Sequence, residues 1–94
     1  GGGGREAMVV YRQGERRAWT YDAVPREITD ALGRADAVGL AAFHVLERDV
    51  HPDDRVVWTG ASDDPLPLGA LYVGATVIFT DDAGVVAAEG ARVL

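Results

Sequence analysis

Between Leu71 and Phe79 every second residue is apolar, through Leu71, Val73, Ala75, Val77 and Phe79, with Tyr72, Gly74, Thr76 and Ile78 between them. That alternation predicts a strand with one hydrophobic face. Thr80-Asp81-Asp82-Ala83-Gly84 interrupts it with turn-forming residues, and Val85-Val86-Ala87-Ala88 predicts a returning strand. The same pattern opens the chain. Val9-Val10-Tyr11-Arg12 and Arg17-Ala18-Trp19-Thr20-Tyr21 flank Gln13-Gly14-Glu15, which predicts a hairpin with Arg17, Trp19 and Tyr21 on one side.

The period then changes. Asp22 and Pro25 supply a helix start, and Ile28, Ala31, Leu32 and Ala35 recur at spacings of three and four, so a helix is expected from Arg26 to the region of Gly33 to Asp36. Val38 to Asp49 fits two periods. Helically, Val38, Ala41, Ala42, Val45 and Leu46 form a stripe; as a strand, Ala41, Phe43 and Val45 alternate with Ala42, His44 and Leu46. Gly39 and the turn cluster His51-Pro52-Asp53-Asp54 favour the strand, with Arg55 to Thr59 as its return. Pro65 and Pro67 forbid regular ladder pairing, so residues 61–69 read as a loop.

The order is hairpin, helix, hairpin, loop, hairpin. It predicts a single small α+β domain over residues 8–94, with a mostly antiparallel sheet of five to six strands and one helix on a face. This resembles the element order of β-grasp domains, and the resemblance is one of order alone. Gly1 to Gly4 form a glycine tract and Met8 is the only methionine, so residues 1–7 read as an added leader or a disordered segment.

Composition narrows the chemistry. Ninety-four residues suffice for one core, a hydrophobic fraction of 48% argues against disorder, and no apolar run approaches the roughly 20 residues of a membrane span. With no secretory leader pattern, the expected location is cytoplasmic. Absence of cysteine removes disulfides, thiolate ligands and cysteine nucleophiles. All nine basic residues are arginine, which removes Schiff-base and P-loop lysine chemistry. A chain rich in Ala, Val, Gly, Arg and Asp without Lys or Asn matches a GC-rich, bacterial codon usage. The net charge is −6 and uneven: residues 1–34 carry six arginines and five acids, residues 35–94 three arginines and ten acids. That sign disfavours nucleic acid and favours a basic protein surface.

Candidate chemistry is sparse. Asp49, His51 and Asp53 alternate, as an imidazole and two carboxylates can around a divalent metal, although acids also crowd turns for local hydrogen bonds. His44, in apolar surroundings, and Tyr72 are the candidates for an acid or base. Trp19 and Tyr21 beside Arg17 can form a stacking platform or simply cover the core. Asp53-Asp54, Asp63-Asp64 and Asp81-Asp82 each fall in an expected turn, and together they would make a negative rim if they met at one end of the sheet. Ser62, the only serine, lacks a nucleophile-elbow context.

The reading that follows is a small acidic, non-catalytic interaction module, binding a protein partner or associating with itself as a homodimer. Trp19, Tyr21, Trp58, Asp63, Asp64, Asp81 and Asp82 are its candidate binding residues, with no cofactor, nucleic acid or membrane. One alternative is a cofactor-free enzyme or small-molecule binder with a pocket between helix and sheet, lined by Trp19, Tyr21, Phe43, His44, Trp58 and Tyr72. Another is a structural component of a phage or secretion assembly.

Overall fold

The computed structural model describes residues 5–60 and 65–94. Strand β1 (Glu6–Arg12) turns through Gln13 and Gly14 into β2 (Glu15–Thr20). Both turn residues have positive φ, 52° and 79°, as a two-residue type I′ hairpin requires. Helices α1 (Arg26–Leu32) and α2 (Ala35–Arg48) follow, then β3 (Arg55–Trp58), α3 (Pro65–Val73), β4 (Thr76–Phe79), α4 (Ala83–Glu89) and β5 (Arg92–Val93).

The strands form one sheet in the order β2-β1-β4-β3-β5. Only β1 and β2 pair antiparallel; β1 with β4, β4 with β3, and β3 with β5 are parallel. Parallel neighbours need crossovers, and α3 and α4 supply them. Side chains alternate along each central strand. Met8, Val56, Val77 and Phe79 join Ile28, Ala31, Val45, Leu66, Leu68 and Leu71 in the larger core, beneath α1, α2 and α3. Val9, Val57 and Ile78 face the other way, against Val85 and Val86 of α4. Among the described residues, three helices thus cover one face and one helix the other.

The expectation of a mostly antiparallel sheet with one helix, in β-grasp order, is corrected: the described residues form four helices and a mixed five-stranded sheet with one antiparallel pair. Each error has a cause. Strand β4 is buried on both faces, all four of its residues being buried, so it reads as an unbroken apolar run that fits any period. The alternation from Leu71 to Phe79 therefore ran across a helix end. Pro65 and Pro67 lie in the first turn of α3, where a missing N–H costs nothing, and Gly74 at φ 98° ends that helix. Helix α3 is apolar nearly all round because Leu66, Pro67, Leu68, Ala70 and Leu71 are all buried.

Residues 38–48 belong to a helix, not a strand, and Asp49 caps α2 in the left-handed conformation at φ 56°. Val85 to Ala88 are helical too. The Asp82 carboxylate caps α4 by accepting from the Gly84 N–H at 2.8 Å, and Gly90 closes it with φ 64°. Strand β1 starts at Glu6, and Ala7 is fully buried. Helix α1 stands where its periodicity placed it, shorter than expected, with Gly33 as its C-cap.

Candidate functional site

Helix α2 packs chiefly on α3 and touches α1. Val45 points into the core and is 1% exposed. At about 100° per residue, Asp36, Leu40, Phe43 and Glu47 share a sector of roughly 60° on the opposite side, with Leu46 on its flank. The apolar members of that sector are open to solvent: Leu40 is 50% exposed, Phe43 58% and Leu46 81%. Asp36 and Glu47 are exposed as well, and Asp49 follows at the helix end. The outcome is an apolar ridge with acids at both ends, on a helix anchored from the opposite side by Val45. The edge of the Phe43 ring meets His44, with centroids 5.8 Å apart at 75°.

A second feature lies over the hairpin. Met8, Val10 and Arg12 of β1 and Glu15, Arg17 and Trp19 of β2 line a groove of about 700 Å³, with Pro25 and Glu27 at its side. The Arg17 guanidinium stacks over Trp19, 5.0 Å from the ring centroid. Trp19 is itself half-buried against the larger core. Tyr21 does different work. Its ring packs on the same core, its hydroxyl donates to the carbonyl oxygens of Ala75 and, at 3.4 Å, Leu71, and Arg5 lies 5.6 Å above it. Burial pushes the Tyr21 hydroxyl pKa up. Of the expected aromatic platform, Trp19 lines the groove while Tyr21 ties the hairpin to the α3–β4 connection.

The expected metal residues form a self-contained turn. His51 Nε2 lies 2.8 Å from Asp49 Oδ1, while Asp53 is drawn away to Arg5 at 3.0 Å. Asp54 accepts from the His51 backbone N–H at 2.9 Å and pairs with Arg92 at 3.3 Å. The His51 hydrogen bond and the Arg92 pairing hold the Asp54 carboxyl below its usual pKa. Among the described residues, no three His, Cys, Asp or Glu side chains are grouped so as to hold a metal ion.

The acidic turns do not share an end of the sheet. Asp53-Asp54 precede β3, whereas Asp81-Asp82 follow β4, and the two strands run parallel. Asp82 is engaged as the α4 cap, and Asp81 is exposed. Asp63 and Asp64 lie outside the described residues, as does Ser62. Trp58 ends β3 partly buried against the larger core. His44 sits at mid-height on α2 and Tyr72 on α3, where it is 62% exposed. Phe43 and Tyr72 therefore face solvent and do not line a space between helix and sheet.

Sequence reasoning missed the ridge and also the densest charge cluster. The Glu89 side chain, only 9% exposed, receives Arg16 at 2.8 Å and Arg55 at 2.6 Å, and Tyr11 donates its hydroxyl to it. Arg16 also reaches Glu6 at 3.0 Å. The Arg16 hydrogen bond is the main cause that holds the Glu89 carboxyl down to about pKa 2, against its partial desolvation. The Tyr11 hydroxyl is pushed up by the same carboxylate. Nothing in the sequence couples Glu89 to Arg16, 73 residues away. The ridge, by contrast, carried a signal: with 38–49 helical, Leu40, Phe43 and Glu47 fall opposite Val45. No protein-family model, characterised protein or solved structure matches this chain.

Proposed function

We propose that the protein is an acidic interaction module whose α2 ridge binds a protein surface that presents apolar side chains ringed by arginine or lysine. One observation carries the reading: Leu40, Phe43 and Leu46 stand in solvent on one side of a helix whose Val45, on the opposite side, is buried in the core. Apolar side chains clustered on an outer helix face gain free energy only when a partner covers them. Charge selects the partner. Asp36 and Glu47 bracket the ridge, and residues 35–94 carry ten acids against three arginines, so a basic rim on the partner is attracted and an acidic one repelled.

The test uses two synthetic amphipathic helical peptides with the same leucine face, one flanked by arginines and the other by glutamates. Fluorescence anisotropy is expected to show binding of the arginine-flanked peptide alone, weakening with salt, and a loss of roughly tenfold or more in Phe43→Asp. Equal binding of both peptides, or a Phe43→Asp variant that binds like the parent, overturns the proposal.

The groove over the hairpin favours a second reading, a small-molecule binder, because it combines an indole, apolar side chains and two arginines. On that reading a flat anionic dye such as anilinonaphthalene sulfonate binds in a manner abolished by Trp19→Ala and untouched by Phe43→Asp. The reverse pattern eliminates it.

A further inference from the structure

We propose that a second copy of this chain pairs with the free edge of β2, antiparallel about a two-fold axis at Ala18, joining two sheets into one. The inference is independent of the α2 ridge. Strand β2 ends the sheet, is six residues long and contains no proline, and the irregularity in its ladder falls on β1, between Glu6 and Met8. The opposite edge, β5, has only two residues. The charges that would ordinarily guard such an edge are already engaged: Arg16 is held by Glu6 and Glu89, and Arg17 lies over Trp19.

The hairpin sets the register. In a two-residue hairpin the closing pair, here Arg12 and Glu15, exchanges both backbone hydrogen bonds. Every second pair does likewise, Val10 with Arg17 and Met8 with Trp19, so Arg17 and Trp19 spend their backbone groups on β1. Arg16, Ala18 and Thr20 therefore direct theirs outward. A two-fold placed at Ala18 makes that residue a hydrogen-bonded pair with its own copy and sets Thr20 opposite Arg16. The Thr20 carbonyl already accepts from the Ala23 N–H at 3.0 Å, so the added ladder consists of the two Ala18 bonds and the two from Thr20 N–H to Arg16 carbonyl. No like charges are directly opposed. Arg17 instead stands across from the copy's Trp19 in the closer, non-hydrogen-bonded type of pair, where each guanidinium can stack on the other chain's indole. Centring the axis on Arg17 would set two guanidiniums face to face, which disfavours that register.

The experiment uses the full chain in sedimentation velocity over a concentration series, with two variants at the exposed Ala18 and, as controls, Ala88→Cys and Phe43→Asp. The parent is expected to show a concentration-dependent dimer. Ala18→Lys, which places two ammonium groups at the axis without touching the β1 ladder, is expected to weaken the dimer tenfold or more while circular dichroism stays unchanged. The chain has no cysteine, so Ala18→Cys under mild oxidant is expected to yield a covalent dimer, and Ala88→Cys, exposed on α4, is not. A parent that stays monomeric to its solubility limit overturns the proposal. So does a dimer that survives Ala18→Lys or is dissolved by Phe43→Asp, since it would then use another surface.

Discussion

Arg55 and Glu89, 34 residues apart, are joined twice: Arg55 Nη2 meets Glu89 Oε1 at 2.6 Å, and Arg55 Nε donates to the Glu89 backbone carbonyl at 2.7 Å. The second bond satisfies a carbonyl at the end of α4, where helix carbonyls lack intrahelical partners and a cation is favoured. The first neutralises an acid that the helix dipole disfavours at that end. Together they fasten α4 to the start of β3.

Removing the carboxylate should therefore cost more than removing an ordinary surface charge. Glu89→Ala leaves Arg16 and Arg55 facing each other without their shared acid and is expected to destabilise the fold by about 2 kcal/mol, more than the ~0.5 kcal/mol of an exposed pair such as Arg5 and Asp53. Chemical denaturation of Glu89→Ala and Asp53→Ala checks the ordering.

Acid should undo the same clamp. The folded-state pKa of Glu89 is held down to about 2 from a usual value of 4.5, so unfolding takes up a proton in that interval. The stabilisation is present in full above pH 4.5 and is lost as pH falls towards 2. Asp54, lowered in the same direction, adds to the trend. Thermal melts from pH 6 down to pH 2 should show the parent falling towards the Glu89→Gln variant and meeting it at the acid end.

Gly74 ends α3 at φ 98°, and a Cβ there would sit 3.1 Å from Arg5 Nη2 and 3.7 Å from Pro52 Cβ. The same Arg5 nitrogen donates to the Gly74 carbonyl at 2.6 Å. Gly74→Ala is expected to cost about 1–2 kcal/mol through left-handed strain and displacement of that guanidinium, read as a lower denaturation midpoint at unchanged slope. Gly39, with open space around it, provides the control within α2: Gly39→Ala should stabilise by up to about 1 kcal/mol.

Two leucine-sized side chains should respond in opposite ways. Ile78, fully buried between the sheet and α4, is expected to lose about 3 kcal/mol on truncation to Ala. Leu46, 81% exposed, is expected to change stability by less than about 0.5 kcal/mol on the same truncation while weakening binding of the arginine-flanked peptide. Equilibrium unfolding beside peptide titration separates the two roles.

Local chemistry was legible wherever one residue's neighbours in the chain settle its state. Gln13-Gly14 between alternating runs specified the first hairpin, Pro25 and the Ile28, Ala31 spacing specified α1, and the turn at His51 to Asp54 behaves as its acids suggested. Composition alone excluded cysteine and lysine chemistry and set the acidic character of the later chain. In each case the deciding interaction spans a few residues.

Whether an apolar stretch becomes strand or helix was decided by what covers it. Val77 to Phe79 is apolar on both sides because helices cover both faces of β4, and Leu66 to Leu71 because α3 is enclosed; neither run carries a period that distinguishes them. The prolines that looked like the end of order begin α3, a placement that depends on the parallel pairing of β3 with β4. The ridge on α2 follows from the same packing, since burying Val45 fixes the helix's rotation and turns Leu40 and Phe43 outward. The sequence determined the hairpin and its turn, the first helix and the charge; the tertiary structure decided the sheet's direction, the fate of each continuous apolar run and the surface left for a partner, because those depend on contacts between residues dozens of positions apart.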